Sequence, residues 1–109
     1  MPETIPTVKV REWTCKVGFS RYQDNGRIAI VLFDDESGEQ LFVASVNLPE
    51  VALPENHVFI KNWSENRGVL QSLVDAGILR STGRRVPTGY VEADECELLI
   101  KPRFMGRGW

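Results

Sequence analysis

Asp24-Asn25-Gly26-Arg27-Ile28-Ala29-Ile30-Val31-Leu32-Phe33-Asp34-Asp35-Glu36-Ser37-Gly38 is the stretch on which the fold class turns. Asp24-Asn25-Gly26 supplies residue types that accept the left-handed backbone of a tight hairpin turn. Residues 27–33 are apolar on both phases of a period-two alternation: Ile28, Ile30 and Leu32 on one, Ala29, Val31 and Phe33 on the other. Such a strand belongs inside a sheet covered on both faces. The polar run 34–38 turns the chain again. Residues 40–48 read as the following strand and residues 7–19 as the preceding one, which makes a meander. The preceding strand has a defect. Val8 and Val10 hold one phase, and Trp13, Cys15, Val17 and Phe19 hold the other. A bulge near Arg11 and Glu12 would restore one apolar face.

Downstream, Pro49 and Pro54 frame an irregular connection, because proline lacks the amide donor a central strand needs. Residues 57–60 read as a short strand. The helix signal follows. Asn62 is a cap with Glu65 three positions on, and Ser64 is the other candidate cap. Val69, Leu70, Leu73 and Val74 make one apolar helical face. Gly77 sits where a left-handed stop is wanted, with Ile78 folding back on Leu73. Gly68 within the first turns costs about 1 kcal/mol relative to alanine, which points to close packing or to a solvated helix start. Residues 79–89 read as turns around Gly83, Pro87 and Gly89. A last strand over 90–100 changes phase between Ala93 and Cys96, and a bulge near Asp94 and Glu95 would repair it. The shared defect predicts that the first and last strands pair. The expected architecture is an α+β domain over 1–101: a curved antiparallel sheet of about four or five strands (β-β-β-β-α-β) with one helix packed against it. Residues 102–109 form a tail.

The 109 residues carry 13 Lys and Arg against 15 Asp and Glu, a net charge of −2. That balance excludes a generally basic nucleic-acid binder and a wholly acidic DNA mimic. The distribution is less even. Residues 31–65 hold seven acids and the single base Lys61, residues 66–90 hold four Arg and one acid, and residues 91–97 hold Glu92, Asp94, Glu95 and Glu97. Segments of this kind are solvated faces or a bipolar surface that meets a charged partner. The longest apolar run, 28–33, has six residues, against roughly 20 needed to span a bilayer as a helix. Residues 1–6 include Glu3 and no apolar stretch, so no secretory signal is read and a cytoplasmic location is expected. Cys15 and Cys96 lie 81 positions apart and read as reduced, packed thiols.

Catalytic and metal chemistry is tested by subtraction. His57 is the one histidine, so a His-rich zinc site is unavailable. Asp34, Asp35, Glu36 and Glu39 lack the alternate-position spacing of a calcium loop. Neither cysteine has a histidine nearby in sequence, no Gly-x-Ser-x-Gly occurs, and no Lys-Ser or Lys-Thr follows Gly77, Gly83 or Gly89 to make a phosphate loop. No catalytic residue, metal or cofactor is expected, and the chain reads as a binding protein. Candidate contacts are Trp63, Glu65, Asn66 and Arg67 at the helix start, Arg84 and Arg85 in the turn region, and Arg103, Phe104, Arg107 and Trp109 in the tail. Arginine and aromatics are the types enriched at protein hot spots. Trp63 reads equally well as a hydrophobic staple onto the helix. The acidic strand with Glu92, Asp94, Glu95 and Glu97 would meet a basic groove on a host protein or protein–nucleic-acid complex. The alternative is direct nucleic-acid binding through Arg80, Arg84, Arg85 and the tail, where arginine and aromatic side chains would take phosphates and bases.

Asn47-Leu48-Pro49, Lys61-Asn62-Trp63-Ser64-Glu65-Asn66-Arg67-Gly68, Ala76-Gly77-Ile78, Thr82-Gly83-Arg84 and Gly89-Tyr90-Val91 follow one another in an order and spacing of their own. In these residues the chain resembles a group of small proteins, without an assigned activity, carried by phages, plasmids and conjugative elements. The likeness ends before the segment after Lys101. It implies a mobile-element setting, in which a small protein of this kind acts by occluding a host defence complex of restriction or CRISPR type. It transfers no site residue.

Overall fold

A computed structural model describes residues 6–105 of the chain. The elements run β1 (Thr7–Val10), β2 (Trp13–Arg21), β3 (Ile28–Asp34), β4 (Gln40–Val43), β5 (Ser45–Val46), β6 (His57–Ile60), a 3-10 turn (Ser64–Asn66), α1 (Val69–Asp75), β7 (Leu79–Thr88) and β8 (Val91–Leu98). The class is α+β, mostly strand. The expectation of one curved sheet is corrected: there are two four-stranded antiparallel sheets, ordered β1-β2-β3-β4 and β5-β6-β8-β7. The extended run read at 40–48 is divided between them. At the fully buried Ala44, the N–H donates to Ile30 O in the first sheet at 2.9 Å, and the C=O accepts from Lys61 N–H at the margin of the second at 2.9 Å. One residue thus closes a ladder bond on each side, and the strand changes sheet without orphaning a buried amide.

Each phase defect in the sequence has a physical origin other than a bulge in its own strand. Arg11 takes a left-handed φ of 54°, and β1 folds back on β2 with Val10 opposite Trp13 and Val8 opposite Cys15. The two phases belong to two strands, and both send their apolar side chains into one core with Ile30, Leu32, Ile60 and Leu73. In β8 the pairing with β6 runs without interruption from His57 opposite Glu97 to Ile60 opposite Asp94. Here the phase changes because both faces are covered. Cys96 and Leu98 enter the main core, while Ala93 packs with Phe59 and Val86 under Leu48, Val51 and Leu53 of the connection 47–56.

Strands β1 and β8 do not pair. Strand β8 is internal, and its other neighbour is β7, in the stretch 79–89 that the sequence presents as turns. Gly83 and Pro87 are tolerated there because β7 is an edge strand. The register shift lies on β7 between Ser81 and Arg85, where Gly83 has a φ of 88°.

The helix stop is as read. Gly77 at φ 76° sends its N–H to Val74 O at 3.0 Å, and Ile78 N–H reaches Leu73 O at 3.0 Å, the paired bonds of a glycine-terminated helix. The start differs. The N-cap residue is Gly68 at φ 92°, a conformation costly for any side-chain-bearing residue, which accounts for the glycine. Neither Ser64 nor Glu65 caps α1. Asn62 does serve the helix start from a distance: its Oδ1 accepts from Gly68 N–H at 3.1 Å and Leu70 N–H at 3.3 Å. Val69 and Leu73 enter the core, and the Ser72 hydroxyl donates to Lys9 O at 2.7 Å, docking α1 on β1.

Candidate functional site

The outward face of the β5-β6-β8-β7 sheet divides into an apolar half, described above, and a charged half. Glu95 projects from this face of β8 and is buried, 5% exposed. His57 Nδ1 lies 2.6 Å from Glu95 Oε2, and Arg84 Nη1 donates to Glu95 Oε1 at 2.9 Å and to Ala52 O at 3.2 Å. The carboxylate therefore ties β6 and β7 to β8, and Arg84 extends the tie to the connection 47–56. Burial pushes the Glu95 carboxyl up, but the hydrogen bonds and charges of His57 and Arg84 outweigh it and hold the group below its ordinary range. On one side Arg80 pairs with Glu97, which it holds low. On the opposite face of the same two strands, Arg85 Nε donates to Asp94 Oδ1 at 3.1 Å. The acidic segment of β8 and the arginines of β7 thus form a ladder of ion pairs across one hairpin. Three arginines of β7 and three carboxylates of β8 are thereby paired with one another.

The hairpin ends at Gly89 and Tyr90. Gly89 takes a φ of 67°, and the turn leaves Tyr90 wholly exposed, 108% against an extended reference. Beside it is a hollow of about 400 Å³ lined by Asn62, Trp63, Arg85, Tyr90, Glu92 and Asp94 among others. Trp63 is half-buried against the apolar half of the sheet with Phe59, Val86 and Ala93, so it is not a staple onto α1. Asn62 is fixed by the amides of the helix start. The hollow thus has two aromatic walls, one anchored and one projecting. It has one exposed carboxylate, Glu92, beside the Arg85–Asp94 pair.

Four of the candidate contacts, Trp63, Arg85, Glu92 and Asp94, come together in this hollow. Glu65 on the 3-10 turn and Arg67 just after it are exposed, and Arg11 donates to both of their carbonyl oxygens. Asn66 is corrected: it is 2% exposed and donates through Nδ2 to Val43 O at 2.7 Å, which makes it a strut between the turn and β4. Glu95 is likewise an internal tie and not a surface contact. Arg84 is half-exposed but spent on Glu95 and Ala52. Arg103 is exposed, whereas Phe104 is partly buried and bridges to Phe19 of β2. Arg107 and Trp109 lie outside the described residues.

Tyr90 stands out in the sequence only as one of several aromatics. Its use is set by the turn at Gly89, in a segment read as turns without a strand on its first side. His57 meets an ionisable neighbour, Glu95, but lines neither of the two main hollows. Among the described residues no group of three or more His, Cys, Asp or Glu side chains is placed to hold a metal ion. No described helix is long and apolar enough to cross a membrane. No family model, curated protein or solved structure matches the chain.

Proposed function

We propose that this protein is a non-enzymatic interaction protein that grips another protein with the end of its β7–β8 hairpin. The observation that carries the reading is the wholly exposed Tyr90 beside the anchored Trp63, flanking a hollow with Glu92 at its rim. A lone exposed aromatic is ordinary surface, so the weight lies on the pairing of Tyr90 with Trp63. Paired with a second aromatic and a charged rim, it has the composition of a binding hot spot. The ion-pair ladder favours this reading over direct nucleic-acid binding, because Arg80, Arg84 and Arg85 each already hold a carboxylate. The finer proposal, a partner within a host defence complex of restriction or CRISPR type, rests on the resemblance to proteins of mobile elements.

The experiment compares wild-type protein with Tyr90→Ala and Trp63→Ala variants as affinity baits in bacterial lysate, with circular dichroism to verify folding. One partner retained by wild type and lost by a folded Tyr90→Ala variant supports the reading. Equal recovery by all baits, or none, removes it. A parallel gel-shift at low salt tests the alternative: a shift that weakens steeply with added salt would move the function to nucleic acid. Co-expression in cells with an active restriction or CRISPR system tests the finer proposal, through restored plating of a targeted phage.

A further inference from the structure

A second hollow, larger than the one beside Tyr90 and Trp63, shares no lining residue with it. Strand β1 covers β2 only as far as Lys16, with Pro6 O accepting from Val17 N–H at 2.9 Å. Beyond that point the edge of β2 is met by the C-terminal segment. Met105 N–H donates to Phe19 O at 2.8 Å, Phe104 bridges to Phe19, and the Arg21 guanidinium lies 4.1 Å from the Phe104 ring centroid. The opposite wall is the end of α1, where Leu99 N–H fixes Ile78 O at 2.8 Å. Between these walls Gly18 forms the floor. A Cβ there would lie 2.7 Å from Phe33 Cε2 and 3.4 Å from Met105 Sδ, so glycine is what lets both side chains close over the strand. The result is a groove of about 790 Å³, within the range of about 300–1,000 Å³ seen for small-molecule sites.

Its chemistry is two-part. The apolar surface comes from Phe33, Phe104 and Met105, with the buried Val17, Phe19 and Ile78 behind it. Every charged residue of the lining is a base, Lys16, Lys101 and Arg103, with no acid among the described lining residues. Lys16 reaches Asp35 only at 3.7 Å, and both groups are about half exposed, a pairing that water screens heavily. From this complementarity we infer that the groove binds a free amphipathic anion, an aliphatic chain carrying a carboxylate, with the chain against Phe33 and Met105 and the head toward Lys101. The inference uses a different surface from the proposed protein contact and stands or falls separately from it.

The test is titration of the full-length, isotope-labelled protein with decanoate and, separately, decyltrimethylammonium, each below the concentration at which it aggregates. The expected result is saturable decanoate binding that shifts the amides of Gly18, Phe33, Ile78 and Met105. The cationic amphiphile should bind less tightly. Lys101→Glu should weaken decanoate by about tenfold while leaving the melting temperature of the ligand-free protein unchanged. Absence of saturable shifts, equal affinity for the two amphiphiles, or shifts confined to other surfaces would overturn the inference. So would nuclear Overhauser contacts from the Trp109 indole to Phe33 and Met105 in the ligand-free protein, which would give the groove to the chain's own end.

Discussion

Glu95 is the residue on which the outward face of the second sheet depends. It is a buried carboxylate with a partner on each oxygen, so a neutral amide there weakens two charge-assisted hydrogen bonds at once. Glu95→Gln is expected to lower stability by about 1.5–3 kcal/mol, read from urea denaturation. The sign of the pH dependence follows from the depressed carboxyl. The folded protein holds fewer protons at this group than the unfolded chain does. Its contribution is present above the unfolded carboxylate value, about 4.3, and is lost as pH falls through the lower folded value. Glu97 beside Arg80 acts in the same direction, as does Asp34, held low chiefly by its hydrogen bond with Ser37. The urea midpoint should therefore drop through this acid window, and by less in Glu95→Gln; an unaltered slope in the variant would remove Glu95 from the account. Cys96 makes a second residue-scale prediction. It is 0% exposed, and burial, with the nearby charges of Asp94 and Glu95, pushes its thiol up to about 12. Cys96 should resist iodoacetamide in the native protein at neutral pH and be alkylated in urea, as mass spectrometry would report.

Among the elements, α1 is the one whose boundaries depend on single side chains. Removing the Asn62 amide leaves two helix-start N–H groups without their acceptor, so Asn62→Ala is expected to cost about 1 kcal/mol in thermal or urea unfolding. Gly18→Ala tests β2. The new methyl meets the Phe33 ring, and a loss of about 1–3 kcal/mol is expected, against near-neutrality if the ring moves aside freely. These elements also show what the sequence could and could not reveal. The meander around 27–33 and the Gly77 stop are legible, because a doubly apolar strand and a left-handed glycine are local facts. The division at Ala44 is not, since a small apolar residue looks the same whether its two backbone groups bond to one sheet or to two. Strand β7 was hidden by its own edge position: Arg80, Arg84, Gly83 and Pro87 are acceptable only where one side of a strand needs no partner. The single-phase reading of β8 failed because a second small core, around Phe59 and Ala93, covers its outward face. Of the candidate site, residue type alone pointed to Trp63, Arg85, Glu92 and Asp94. The cross-strand register needed to see His57 and Arg84 converge on Glu95 is a tertiary property.

For the whole molecule, two sheets joined at Ala44 hold the β7–β8 hairpin rigid. The core fixes β8 from one face, and the small cluster and the ion pairs fix it from the other. The body of the hairpin thus offers its end on a packed support, and the wholly exposed Tyr90 side chain is what binding has to order. This predicts that interface substitutions at Tyr90 weaken partner binding without changing stability, whereas Glu95→Gln lowers stability and affects binding only through it. The most direct measurement is site-specific photocrosslinking in bacterial cells, with benzoylphenylalanine placed at position 90 and, as control, at Ser37 in the β3–β4 loop. The account predicts one discrete adduct with a single protein from position 90, abolished by Trp63→Ala in a folded chain and absent from position 37. No adduct from position 90, or the same adducts from both positions, would contradict it.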